Sequence, residues 1–225
     1  MNFLKYLFPP TEIKTNSLWE NISSLSKSKF KIHDEICYKC KKYSKNFYTH
    51  PFCTTKTPLK QVITCFYYTN EIKPFLIKLK YSHNKNIAKN FANLMNIFLN
   101  LHIKDLKNTA ISFVPMHWFK KYFIRWYNQA EILASYIAKQ NNLPLIKICK
   151  KSKYTFTQTK TKNKKEREKN IKNSFKVNKI MDLNMDKIII VDDIITTWTT
   201  LEEVAKCIKN IYPNTKVIWL VLARR

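Results

Sequence analysis

Two apolar patterns alternate along this chain. AISFVP near residue 110, LPLIKIC near 145, KIIIVDD from Lys187 and KVIWLVLAR from Lys216 are continuous apolar runs. Such runs read as strands buried on both faces, the form parallel sheets require. Between them the apolar positions recur at three- and four-residue spacing. Phe75, Leu76 and Leu79 begin one helical pattern, which Ile87, Phe91, Leu94, Met95 and Phe98 continue. AEILASYIAKQNN predicts a second helix with Ile132, Leu133, Tyr136 and Ile137 inward, and TLEEVAKCIKNIY predicts a third. Strands alternating with helices predict an α/β fold on a parallel sheet. Residues 1 to about 35 lack strong caps and read as weakly structured. Lys150 to Asn173 is nearly all Lys, Thr, Asn and Glu and reads as a mobile segment.

At 225 residues the chain suits one α/β domain, with or without a small added module. Its 41 Lys and Arg against 15 Asp and Glu give a formal charge of +26. That implies anionic company: nucleic acid, phosphorylated metabolites or acidic lipid. The abundance of Lys, Asn and Ile also fits a compositional origin. Glycine is absent, where average usage predicts about 16. A doubly wound fold needs glycine at several turns, so its absence calls for an explanation. MNFLKYLFPP is too short and too soon ended by Pro9 and Pro10 to read as a secretory signal. No apolar run approaches the ~20 residues that span a membrane. A cytoplasmic protein is expected.

The segment CYKCKKYSKNFYTHPFC sets two residues between Cys37 and Cys40, then nine more before His50, and again two between His50 and Cys53. Two such pairs can present four soft ligands tetrahedrally, so structural Zn²⁺ is expected at Cys37, Cys40, His50 and Cys53. Four protein ligands close such a site to catalysis. Cys65, Cys149 and Cys207 fall on apolar segments and read as small core residues.

In KIIIVDDIITTWTTLEEVAKCIKN a buried strand reaches Asp192 and Asp193. Thr196, Thr197, Thr199 and Thr200 follow, before a helix beginning near Leu201. Open α/β sheets bind ligands at the carboxyl ends of their strands. Hydroxyls and free amides at a helix start suit a phosphate. Paired carboxylates suit ribose hydroxyls and help place Mg²⁺ on a pyrophosphate.

IIIVDDIITTWTT closely resembles the 5-phosphoribosyl-1-pyrophosphate (PRPP) signature of type I phosphoribosyltransferases. FVPMHWFKKYFIRWYNQAEILA resembles a ComF-family stretch that runs from a VP-x-H strand end to an R-G-F-N-Q-A helix start. QTKTKNKKEREKNIKNSF resembles that family's mobile loop. The likeness runs from about Cys37 to Arg224. It implies a phosphoribosyltransferase-type domain over residues 67–225, preceded by residues 1–66 with a zinc-finger module. By the resemblance, Asp192 and Asp193 meet the ribose of PRPP. Thr196, Thr197, Trp198, Thr199 and Thr200 form the 5-phosphate loop. Arg125 contacts the pyrophosphate, Lys80 matches a family lysine, and Gln158, Arg167 and Asn170 belong to a loop that closes over the reacting centre. The family also implies a link to DNA uptake. The rival reading is an accessory protein for single-stranded DNA or a helicase-like partner, with Phe66, Tyr67 and Tyr68 stacking on bases or packing in the core.

Trp198 and Trp126 stand where the family has Gly, and Ser82 and His83 also lie where Gly is frequent. A phosphate loop uses Gly for close approach and for positive φ, so Trp198 is expected to be strained. Three readings are open: PRPP binding was lost, the loop rearranged so that Trp stacks on a ligand, or the source organism decodes as Gly a codon written here as Trp.

Overall fold

The computed structural model describes residues 30–55, 57–81, 85–116, 127–152, 173–178, 184–196 and 198–225. Four strands, β1 (Gln61–Tyr67), β2 (Thr109–Phe113), β5 (Lys187–Ile195) and β6 (Lys216–Arg224), form one sheet in the order β1-β6-β5-β2. Every pair is parallel, with Ile189 opposite both Ile111 and Ile218. The short strands β3 (Cys149–Lys151) and β4 (Phe175–Val177) pair antiparallel beside it. The α/β architecture on a parallel sheet is therefore present.

Helices cover both faces. α1 (Pro51–Thr54) lies in the cysteine-rich segment, after a 3₁₀ turn at Lys45–Phe47. On one face, α2 (Lys73–Tyr81), α3 (Lys85–His102) and α4 (Gln129–Gln140) pack Leu76, Phe91, Met95 and Leu133 against Ile63, Ile111, Ile189 and Leu220. On the other face, α5 (Thr199–Ile211) packs Leu201, Val204 and Ile208 against Ile188, Ile190, Trp219 and Val221. Alternate residues of β5 and β6 feed opposite clusters, the period-two consequence of a sheet buried on both sides.

The periodicity at Phe75–Phe98 divides into two helices rather than one continuous pattern. LPLIKIC is not a strand throughout: Leu145 makes a single parallel bridge to Ile111, and pairing resumes only at Cys149. β1 was hidden in the aromatic segment around Phe66, where no alternation marks it. In it Phe66 is fully buried and packs on Phe98 and Phe30, as core rather than as an exposed base-stacking ring. Cys65 and Cys149 are buried core residues as expected, and Cys207 is half-buried. Among the described residues no helix is long and apolar enough to cross a membrane.

Candidate functional site

β2 and β5 are neighbours, yet their chains depart to opposite faces. After β2 the chain reaches α4 on one face, and after β5 it enters α5 on the other. A parallel sheet opens a crevice at such a switch point, beyond the carboxyl ends of the strands. β2 ends opposite Val191, whereas β5 continues for four residues. Asp192 and Asp193 therefore lie in the part of β5 that has lost its β2 neighbour, and both remain partly exposed.

The Asp193 amide donates to Asp192 Oδ1 at 2.9 Å, and the Ile194 amide donates to Asp193 Oδ1 at 2.8 Å. Lys80 Nζ lies 3.6 Å from Asp193 Oδ2. Burial, then the adjacent charge of Asp193, pushes the Asp192 carboxyl well above the ordinary range. Lys80, ion-paired to Asp193, also favours the charged form of Asp192, but burial and the neighbouring carboxylate outweigh it there.

The chain before α4 is tied to the same corner. Asn128 Oδ1 accepts from the Ala130 amide and caps α4, while its Nδ2 donates to Val114 O at 2.9 Å. Gln129 Nε2 donates to Lys80 O at 3.0 Å, and the Tyr127 hydroxyl donates to Leu79 O at 2.6 Å. The Asn-Gln pair thus joins the end of β2, the end of α2 and the start of α4. Its anchorage of α2 holds the backbone from which Lys80 reaches Asp193.

Thr196 is exposed, and Thr199 and Thr200 form the half-buried first turn of α5. Trp198 holds the N-cap position without a side-chain cap bond. The first amides of α5 therefore have no side-chain partner from the cap residue, and unpaired helix-start amides favour an anion. Trp198 has φ −74° and ψ −14°, a right-handed conformation. The expected strain is absent, because this turn does not use positive φ at that residue.

The indole packs on Tyr38 with ring centroids 5.0 Å apart. Lys41 Nζ lies 4.0 Å from the indole centroid, and the Arg224 guanidinium lies 4.7 Å from it. Burial, then Arg224's charge, brings Lys41 down to about 8. Lys39 completes the contact with a 2.9 Å ion pair to Glu202 in the first turn of α5. Sequence reasoning missed Lys41, Arg224 and Tyr38, since no spacing rule joins residues from opposite ends of the chain. The only hint was Arg224 at the end of the last apolar run.

Tyr38, Lys39 and Lys41 belong to the metal-type knuckle itself. The ligand atoms of Cys37, Cys40, His50 and Cys53 all lie within 4.8 Å of one another, close enough to hold one metal ion. His50 Nδ1 lies 3.2 Å from Cys40 Sγ, while its Nε2 donates to Tyr43 O at 3.0 Å. A histidine so held by one nitrogen offers the other as a ligand. Burial alone would raise the Cys37 thiol, but backbone groups of Cys40, His50 and Lys39 outweigh it and bring it down to about 7. Thiolate is the metal-binding form, so the donor set fits a soft or borderline cation.

Arg125, Trp126, Thr197, Gln158, Arg167, Asn170, Ser82 and His83 lie outside the described residues.

The phosphoribosyl transferase domain family matches residues 128–225, from the cap of α4 to the end of the chain. Competence protein F of Haemophilus influenzae is 27% identical over 163 residues, covering 68% of each chain. DNA utilization protein YhgH of Shigella flexneri is 24% identical over 167 residues, 72% of this chain and 71% of its own. YhgH of Escherichia coli gives the same figures. Residues 128–225 thus match a phosphoribosyl transferase domain, in a chain that has an α/β fold on a parallel sheet, a Cys/His cluster ahead of it, and similarity to competence protein F.

Proposed function

We propose that this protein binds PRPP with Mg²⁺ at the carboxyl end of β5 and transfers its phosphoribosyl group, in a role connected with the uptake or use of DNA. One observation carries the reading. Twin acids at the switch point end six residues before a helix start whose cap residue makes no side-chain hydrogen bond to its amides. Asp192 and Asp193 take the ribose hydroxyls, and Thr196, Thr197, Thr199 and Thr200 surround the 5-phosphate. Arg125 supplies charge for the pyrophosphate, since guanidinium grips phosphate bidentately. Gln158, Arg167 and Asn170 lie on the closing loop, which keeps water from competing as nucleophile. Mg²⁺ would neutralise pyrophosphate as it leaves. The bond from ribose C1 to the pyrophosphate oxygen breaks while C1 bonds to the acceptor, so positioning is the main task of these residues.

The proposal extends to Zn²⁺ at Cys37, Cys40, His50 and Cys53, as a structural ion. It also divides the chain into residues 1–66, with the metal module, and residues 67–225, with β1 at the join.

Trp198 is the departure from the signature, and it engages Lys41 and Arg224, two cations beside the phosphate turn. Titration calorimetry with PRPP and Mg²⁺ tests the reading. Replacing Trp198 by Gly should free both cations and strengthen binding at least tenfold. Absence of binding by either form would sink it. A native peptide carrying Gly at position 198, read by mass spectrometry, would make the Gly form the physiological one. The second reading, an accessory protein without a reaction, is supported by the +26 charge. Salt-sensitive binding of single-stranded DNA, with no PRPP binding by either form, would favour it.

A further inference from the structure

A cavity of about 810 Å³ lies at the other end of the sheet, where the amino ends of β1, β5 and β6 meet the cysteine-rich segment and the end of α3. Lys187 is on its wall, and Asp193 is six residues further along β5. At about 3.3 Å per residue that is roughly 20 Å, too far for a ligand at the twin acids to reach.

Five lysines from five separate places converge on this cavity: Lys45, Lys60, Lys104, Lys187 and Lys216. They come from the 3₁₀ turn, the residue before β1, the segment after α3, and the first residues of β5 and β6. This is no charge run on one solvated face. Asp105, also in the wall, takes Lys187 at 3.0 Å. Among the described residues no carboxylate pairs with the other four lysines. Like charges around a concavity raise the local potential and favour an anion inside it.

The rest of the lining is not simply polar. Leu101, Ile103 and Ile218 offer apolar surface, and Tyr48, half exposed, stands with them. The Thr49 hydroxyl, in the same wall, is buried without a hydrogen-bond partner. Small-molecule sites of several hundred Å³ combine apolar walls with a few convergent polar groups. Lysines suit phosphate as point charges, and an aromatic beside aliphatic surface suits a flat ring.

We propose that this cavity binds a free nucleoside phosphate, with its phosphates on the lysines and its base on the apolar wall. The site is separate from the one at Asp192 and Asp193, and it stands whether or not PRPP binds there.

Titration of the full chain with ATP tests this. Saturable 1:1 binding is expected, weakened at least tenfold by the double change Lys104→Glu, Lys216→Glu. Lys45→Glu with Lys60→Glu should do the same, which covers misfolding of either pair. The control pair Lys150→Glu, Lys176→Glu carries the same charge change on the β3–β4 pair and should alter binding less than twofold. Asp193→Asn should leave ATP binding unchanged, and inorganic triphosphate should bind more weakly than ATP. The proposal is overturned by absent saturation, by equal loss in the control pair, or by loss in Asp193→Asn. It is also overturned if oligothymidylate displaces ATP through the same lysines with at least tenfold higher affinity, which would make this a strand-binding surface.

Discussion

Asn46, Asn108, Asn142 and Asn173 hold φ between 48° and 57°, and Lys41 and Phe47 are also left-handed, at 65° and 58°. Asparagine tolerates this region better than other residues with a Cβ, so a chain without glycine can still close its turns. Asn142 is the clearest case. The Leu143 amide donates to Ala138 O at 2.9 Å, and the Asn142 amide donates to Lys139 O at 3.3 Å. That is the Schellman ending of α4, with Asn where Gly is usual. Asn142→Gly should raise stability by up to about 1 kcal/mol, and Asn142→Val should lower it by about 1–2 kcal/mol. Urea denaturation measures both, and a destabilised Gly form would refute the account. Asp192 gives a pH prediction. Its raised folded value means that the folded state holds the proton more tightly than the unfolded chain. Its stabilising contribution is full below about pH 4 and fades as pH rises through the folded value. Asp192→Asn should therefore melt above the wild type at pH 7, with the difference shrinking toward pH 4. A difference independent of pH would be wrong for this mechanism.

At the scale of elements, the strands were legible where apolar runs were long and failed where they were short. KIIIVDD and KVIWLVLAR became β5 and β6, both longer than the wholly apolar stretch, because pairing between them continues past the acids to Ile195 and Arg224. β3 and β4 are three residues each and carry no periodicity to read. The Asn-Gln pair at the start of α4 secures three elements to one another, a role no spacing along the chain announces. Asn128→Ala would remove the helix cap and leave Val114 O without its donor, a loss of about 2 kcal/mol in thermal or urea unfolding. Asn128→Asp would keep the cap acceptor and lose only the donor, so an intermediate loss is expected. Equal losses in the two would contradict the double role.

For the molecule as a whole, the Cys/His segment is joined to the α/β domain at the turn before α5. Tyr38 and Lys41 meet Trp198, and Lys39 meets Glu202. Each ion pair or cation–π contact is worth at most about 1 kcal/mol when partly exposed, so the join depends on the knuckle keeping its shape. Metal removal by a chelator should lower the melting temperature and shift tryptophan emission, and Trp198→Phe should abolish most of that shift. An unchanged spectrum would mean that the cluster does not govern the turn. The sequence by itself determined the alternation of strands and helices, the four metal-type ligands and the acid pair with its hydroxyl-rich turn. These are local patterns, in which period, spacing and side-chain chemistry act within a few residues. Only the tertiary structure decided the strand order, the stretch of β5 that outruns β2, the cations around Trp198 and the lysine-lined cavity. Those arise from packing two clusters on opposite faces of one sheet, which brings together residues that no interval along the chain relates.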